Sequence, residues 1–366
     1  MTEAIVIGAG PAGLASAAML KKRGLRVVIL ERAEAAASAW RAHYDGLRLH
    51  TAKGRSALPG LKMGRDLPRF PKRADVIAYF DRYVAHHGLD IRTGVEATHV
   101  REVPGGWRVD HSGGHSTARV VVFATGLNGH PNIPALPGYD GQVLHSSQYR
   151  RPGQIAAGRV LVVGFGNSGG DIAMEMARDG RKTDLSVRGP VNMVPETILG
   201  VPTTSMGMLR RAFGPRLADR IAAPLIRAKI GRPEEYGFTA HSKGPQTRLV
   251  EDGKVPLIDP GVLPLIREGR IAVRPGIAGA AGREVQFTDE TRNTFDAVVF
   301  ATGYKVDLRP LLGARTDVLD DGGAPRRTGG PSEAPGLYFI AYRAAPEGQL
   351  RRIGIEARAI AAHASG

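Results

Sequence analysis

Two short apolar runs in this chain lead into the same glycine pattern, and that repeat limits the available folds more than any other feature. Ala4-Ile5-Val6-Ile7 runs into Gly8-Ala9-Gly10-Pro11-Ala12-Gly13, and Val160-Leu161-Val162-Val163 runs into Gly164-Phe165-Gly166-Asn167-Ser168-Gly169. Helical spacing follows each, from Leu14 to Lys22 and from about Gly170 to Ala177, and then a further apolar run, 26–30 and 183–187. Strand, Gly-x-Gly-x-x-Gly turn, helix and strand together form the dinucleotide-binding βαβ unit. The spacing has physical reasons. Gly8 permits the tight turn, Gly10 lets the backbone approach a pyrophosphate, and Gly13 lets helix and strand pack closely. The helix N-terminus, entered through Pro11 and Ala12, offers unpaired N–H groups to the phosphates. Gly164, Gly166 and Gly169 repeat the set around Asn167 and Ser168.

The two copies differ where the second strand ends. Glu31 lies 18 residues beyond Gly13, with Arg32 next to it, and a carboxylate there can accept ribose hydroxyls. In the second copy Arg188 holds the corresponding place. Losing the acid and gaining a guanidinium favours a 2′-phosphate, and so NADP; a solvated surface arginine is the alternative. A third repeat joins them: Val120-Val121-Val122-Phe123-Ala124-Thr125-Gly126 and Ala297-Val298-Val299-Phe300-Ala301-Thr302-Gly303. Small residues after a buried strand let the chain leave the sheet beside a cofactor. The expected fold is α/β with two Rossmann-like domains, one seating FAD and the other its nicotinamide reductant. The FAD domain would comprise 1–153 and 296–366, with the NADPH domain, 154–295, inserted; Pro131, Pro134, Pro137 and Pro152 punctuate the crossing.

Composition removes several mechanisms. The 366 residues include no cysteine, which excludes thiol-relay flavoenzymes and thiolate metal sites, and no metal is expected. Hydrophobic residues make up 42% and charged residues 23%, enough for a packed core. No apolar run approaches the ~20 residues of a membrane helix, and the first strand begins too early to leave room for a leader. A soluble, cytoplasmic protein is expected. The net charge of +15 suits nucleic acid, an anionic membrane, or an arginine-rich surface around anionic cofactors. The lack of a nucleic-acid motif favours the last, so no nucleic-acid partner is expected. The basic segment 209–232, interrupted by Gly214-Pro215 and Pro224, reads as a substrate lid, a peripheral membrane contact or a solvated insertion. A final helix is predicted from Gln349 and Leu350 to His363. Its N-terminus would favour an anionic reduced flavin if aimed there; otherwise it caps the sheet.

Beyond the fingerprints, the chain resembles the class B flavin monooxygenases, most closely the YUCCA-like branch. Tyr139-Asp140-Gly141-Gln142-Val143-Leu144-His145-Ser146-Ser147-Gln148-Tyr149 is similar to that group's FxGxxxHxxxY signature, with tyrosine in the first place. Trp40, Tyr44, Leu47, Leu49 and His50 resemble the spacing after the first βαβ unit. Tyr236-Gly237-Phe238, Gly244-Pro245, Gly253-Lys254-Val255-Pro256 and Gly269-Arg270-Ile271 resemble the nicotinamide domain.

The resemblance implies that NADPH reduces FAD and that O2 adds at the flavin C4a position. The resulting (hydro)peroxide then transfers one oxygen to a small organic substrate. Oxidative decarboxylation of an aryl-pyruvate such as indole-3-pyruvate is implied first, and N- or S-oxygenation next. Candidate catalytic residues are His50, Lys53, His145 and Asn167. His145 would couple the domains and hold the nicotinamide, or else be a buried, backbone-satisfied histidine. Related amine and sulfur oxidisers place an asparagine where this chain has His50, with Thr51 and Lys53 beside it. A cationic group there suits an α-keto acid carboxylate, or contacts flavin or its phosphates. Trp40, Thr51, Val95, Thr125, Gly126, Thr302, Gly303, Gln349 and Leu350 complete the candidate cofactor contacts. Two rival functions stay open: an NAD(P)H oxidase or reductase of a quinone or protein acceptor, and a redox-sensing flavoprotein with a polyanion-binding surface. The oligomeric state is not readable from the sequence.

Overall fold

The structure, a computed structural model, describes residues 2–366 except 157, 204–206, 260, 314 and 346, and only the backbone of Met208. The chain forms two compact units, one of residues 1–41, 51–130 and 304–366, the other of residues 42–50 and 131–303.

In chain order the first unit contributes β1 (Ala4–Ile7), α1 (Pro11–Lys22), β2 (Val27–Leu30), α2 (Arg73–His87) and β3 (Ile91–Arg92). An antiparallel meander follows, β4 (Ala97–Val103), β5 (Gly106–His111) and β6 (Gly114–Ala118), and then β7 (Val120–Phe123). The second unit carries β8 (Gln142–His145), β9 (Arg159–Val163), α3 (Asn167–Arg178), β10 (Lys182–Ser186), the hairpin β11 (Thr197–Ile198) and β12 (Val201–Pro202), α4 (Gly207–Ile230) and α5 (Pro245–Glu251). It continues with β13 (Ile271–Arg274), a second meander β14 (Ile277–Ala281), β15 (Glu284–Phe287) and β16 (Arg292–Thr294), and β17 (Ala297–Phe300). The chain then returns to the first unit with β18 (Leu337–Phe339) and α6 (Gln349–Ala364).

Each unit is built on a parallel five-stranded sheet, ordered β18-β7-β1-β2-β3 in the first and β13-β10-β9-β17-β8 in the second. The two orders correspond strand for strand: β1 with β9, β2 with β10, β3 with β13, β7 with β17, β18 with β8. Both fingerprint strands lie at the centre of their sheets, where connections depart in opposite directions. That switch point opens the crevice in which α/β sheets bind ligands. The repeat extends to the meanders, each of which precedes an Ala-Thr-Gly strand.

Burial explains the apolar runs. All residues of β1, β7 and β17 are buried, as strands covered on both faces must be. Ile5, Ile7, Val28, Leu30, Val121, Phe123, Leu337 and Phe339 pack with Trp107 and Val109 of the meander in the first core. Val160, Val162, Ile172, Met176, Leu185 and Val299 anchor the second. Both fingerprint helices start three residues earlier than the apolar periodicity predicts, at Pro11 and Asn167. The residues between the second and third glycines are already helical, and Pro11 takes the first helical position, where no N–H partner is needed. α4 breaks at Gly214 (φ 76, ψ 166), as Gly214-Pro215 leads one to expect, and continues through Pro224. Among the described residues, no helix is long and apolar enough to cross a membrane, and no His, Cys, Asp and Glu cluster could hold a metal.

Candidate cofactor sites

The glycines of the two fingerprints fall into matched pairs. Gly8 and Gly164 both have φ +103, and a Cβ on either would come within 2.7 Å of the carbonyl oxygen of Ala124 or Ala301. A Cβ on Gly13 would stand 1.8 Å from the Gly8 oxygen, and one on Gly169 would stand 2.0 Å from the Gly164 oxygen. Four glycines are therefore demanded by the protein's own packing. Gly10 and Gly166 are not, since a Cβ on either would meet nothing within 4 Å. Both cap their helices without a side-chain hydrogen bond, and neither helix has an acid in its first turn. Free N–H groups, a positive dipole end and open space beside the middle glycine fit a diphosphate in each unit.

Around the first turn, the Glu31 carboxylate accepts from the Ala9 N–H at 2.7 Å, the Ala33 N–H at 3.0 Å and the Ser38 hydroxyl at 3.3 Å. It stiffens the loop, and the carboxylate still has acceptor capacity for a ribose. The Val95 N–H donates to the Glu31 carbonyl at 2.9 Å, and Arg32 is exposed nearby in the chain. Thr125 is held by Tyr342, hydroxyl to hydroxyl at 2.6 Å, next to Gly126 at φ +81. Thr51 meets the start of α6: a Cβ on Gly348 would lie 2.7 Å from its methyl carbon. There Gln349 donates to the Ala341 carbonyl at 3.0 Å and Leu350 is buried. Trp40 stands edge-on to Phe80 at 5.8 Å. The Lys53 ammonium donates to the carbonyls of Gly64 (3.2 Å), Arg65 (2.7 Å) and Leu67, so its three N–H groups tie the 64–67 turn.

In the second unit, Arg188 is exposed just past β10, and its side chain makes no hydrogen bond or ion pair among the described residues. The Asn167 side-chain oxygen accepts from the Ile258 N–H at 3.0 Å, with Ser168 following on the first turn of α3. Thr302 donates to the Asn132 carbonyl, and the Gly303 carbonyl accepts from His145 Nε2 at 3.0 Å. His145 is completely buried, and its Nδ1 accepts from the Ser147 N–H at 3.1 Å. Burial holds the imidazole below its usual pKa against the opposing pull of the Gly303 carbonyl. A neutral ring protonated at Nε2 fits both bonds and pins the Ala-Thr-Gly turn to β8.

The segment 42–50 belongs to this unit and is gripped by α3. The buried Tyr44 hydroxyl donates to Asp171 at 2.6 Å, and His50 Nε2 lies 3.6 Å from the same carboxylate oxygen, an electrostatic contact too long for a hydrogen bond. Tyr149 donates to Glu175 at 2.9 Å, and a Cβ on Gly46 would strike the Glu175 carboxylate at 1.6 Å. Burial raises the Tyr44 and Tyr149 phenols, with the adjacent carboxylates adding to it, and burial also raises Glu175. Sequence reasoning missed Asp171, Glu175 and Tyr342, and reached Tyr149 only as the last residue of the signature that begins at Tyr139. A signal for the first two was present: acids four apart on the inward face of a helix.

Residues 5–199 match the pyridine nucleotide-disulphide oxidoreductase family, although this chain has no cysteine for disulphide chemistry. Indole-3-pyruvate monooxygenase YUCCA1 of Oryza sativa subsp. japonica is 36% identical over 317 residues, covering 84% of this chain and 78% of that protein. Indole-3-pyruvate monooxygenase YUCCA6 of Arabidopsis thaliana is 36% identical over 325 residues, covering 85% and 78%. This chain belongs to the YUCCA-like flavin monooxygenases. Its activity is that of an FAD- and NADPH-dependent monooxygenase using O2 on a small molecule. The two-domain flavin monooxygenase fold is shared with a variant flavin monooxygenase from Stenotrophomonas maltophilia, TM-score 0.77 at 24% identity over 100% of this chain and 99% of that one. A flavin monooxygenase and the disulphide oxidoreductases thus use one scaffold of paired dinucleotide folds, here without the thiols.

Proposed function

We propose that this monooxygenase oxidatively decarboxylates an aryl-pyruvate, with indole-3-pyruvate the first candidate. The observation that carries this reading is the 36% identity, over 84% and 85% of the chain, to two indole-3-pyruvate monooxygenases. The balance is one α-keto acid, one O2, one NADPH and one proton giving the shortened carboxylic acid, CO2, water and NADP+. FAD, when bound, supplies the centre that takes reducing equivalents from NADPH and activates O2.

The chain's own residues have separable parts in this. We assign FAD to the unit with the first fingerprint. Gly8, Gly10, Pro11, Ala12 and Gly13 present the N-terminus of α1 to its diphosphate, and Glu31, Arg32 and Val95 serve the adenosine end. Trp40, Thr51, Thr125, Gly126 and the start of α6 at Gln349 and Leu350 hold the rest of the flavin nucleotide. NADPH goes to the second fingerprint, Gly164, Gly166, Asn167, Ser168 and Gly169, with Arg188 on its 2′-phosphate and Thr302 and Gly303 closing the turn. His145 is a positioning residue for that turn, and Lys53 positions the 64–67 loop. His50 is the candidate group for the substrate or flavin, held near Asp171.

The test compares FAD-loaded enzyme and NADPH on indole-3-pyruvate, phenylpyruvate, a tertiary amine and a thioether. The expected result is kcat/KM about tenfold or more in favour of the keto acids, with CO2 released in step with NADPH oxidation. Faster turnover of the amine or thioether, without CO2, would replace this reading with N- or S-oxygenation.

A further inference from the structure

α4 and the hairpin before it expose what the second unit elsewhere buries. Ala218, Ala222, Ile226 and Ile230 recur every four residues and are buried in the unit. Beyond the break at Gly214, Leu217, Ile221 and Leu225 recur at the same interval, each 44–45% exposed, and Phe213 just before the break is 54% exposed. A helix whose inward face is already packed thus carries a second apolar stripe in solvent. The hairpin adds an independent observation. Its two-residue turn, Leu199-Gly200, holds Leu199 at the tip with φ +47, 85% exposed, beside the exposed Val201. A leucine in the left-handed region is disfavoured against asparagine or glycine, and one so exposed gains no packing in the free protein to offset it.

Arg216 of α4 pairs with Glu251 of α5 at 3.4 Å, but four other cations of the helix have no such partner. Arg211, Arg220, Arg227 and Lys229 are exposed, and their side chains make no hydrogen bond or ion pair among the described residues. The one acid on the helix, Asp219, is turned to α5, where it accepts from the N–H groups of Gln246 at 2.8 Å and Thr247 at 2.9 Å. It caps that helix and leaves the cations uncompensated. A second copy of the chain seated on this face would bring the same cations together, and like charges oppose that. Phosphate headgroups over an acyl layer satisfy both the cations and the stripe.

We propose that this face docks on an anionic lipid surface, with α4 lying in the interfacial plane and Leu199 inserted at the hairpin tip. No described helix is long and apolar enough to span a bilayer, so the contact is peripheral. The test is sedimentation of the full-length, FAD-loaded protein with phosphatidylcholine vesicles, with and without phosphatidylserine, at physiological salt. A chain of net charge +15 adheres to many anionic surfaces, so the deciding variant keeps its charge: Leu199→Ser, Leu217→Ser and Ile221→Ser combined. The wild type should partition onto the phosphatidylserine vesicles, and the triple variant should do so about tenfold or more weakly, with NADPH oxidation unchanged. Because the chain has no cysteine, Leu199→Cys carries a single environment-sensitive dye, whose emission should shift to the blue on the same vesicles. Equal partitioning of wild type and triple variant, no wild-type partitioning, or an unshifted dye would overturn the proposal. So would light scattering that shows a wild-type dimer converted to monomer by the triple variant without vesicle binding.

Discussion

Glycines that look interchangeable in the sequence do different jobs at the scale of single residues. Gly13→Ala places a Cβ 1.8 Å from a backbone oxygen that cannot move without moving the turn. It should lower urea-unfolding stability by about 1–3 kcal/mol and abolish FAD retention. Gly10→Ala meets no protein atom within 4 Å, so the fold should keep its stability while FAD dissociates more readily. If both variants were equally destabilised, the open space beside Gly10 would not be a phosphate seat. Arg188 offers a cleaner test because no described side chain or carbonyl bonds to it. Arg188→Ala should raise KM for NADPH about 10- to 100-fold, the worth of one charge-assisted phosphate contact, and leave KM for NADH nearly unchanged. Equal effects on the two cofactors would remove Arg188 from the 2′-phosphate. The tight turn at Gly8 and the close packing at Gly13 were legible from spacing alone, because backbone geometry dictates them. Lys53 was not: which carbonyls a long flexible side chain reaches depends on the 64–67 turn, which no local pattern announces.

Among the elements, α3 has two faces at work. Its N-terminus faces the open space beside Gly166, while Asp171 and Glu175 farther along grip segment 42–50 and Tyr149. Tyr44 and Asp171 are 127 residues apart, and that distance is why periodicity could find the helix and not its partner. Burial, with Asp171 and Asp45 nearby, raises the Glu175 carboxyl above its ordinary 4.5, and the Tyr149 hydroxyl only partly opposes this. A folded-state pKa above the unfolded one means stability that is full below about pH 4.5 and declines as pH rises through the folded value. Glu175→Gln should flatten that decline in chemical-unfolding curves taken from pH 4 to 8, whatever its stability at any one pH. A variant with the wild-type slope would mean that Glu175 does not titrate in this way. In the sheet, the buried Asp184 of β10 accepts from Arg159 of β9 in bidentate fashion at 2.8 Å and from Arg274 of β13 at 2.8 Å, tying three strands. Asp184→Ala leaves two guanidiniums without that partner and should cost about 3 kcal/mol in urea unfolding. A loss well under 1 kcal/mol would show that solvent screens the triad.

For the molecule as a whole, the architecture is one design used twice. Strand orders, glycine clashes and even the meanders correspond between the units, and the matched runs 120–126 and 297–303 already showed this in the sequence. The correspondence breaks at the ends of particular strands. Arg188 replaces Glu31, and His145, paired with Phe300, takes the place that Phe339 holds against Phe123. The substrate was not legible in the same way, because discrimination rests on pocket shape, which no repeating code announces. The most direct test of a flavin monooxygenase without thiols is isotopic. FAD-loaded protein would be given NADPH and indole-3-pyruvate under 18O2, and the products read by mass spectrometry. The account predicts one 18O atom in the carboxylic acid product for each NADPH consumed, with the second in water. Full NADPH consumption yielding only hydrogen peroxide, with no label in the product of any keto acid, amine or thioether, would contradict it.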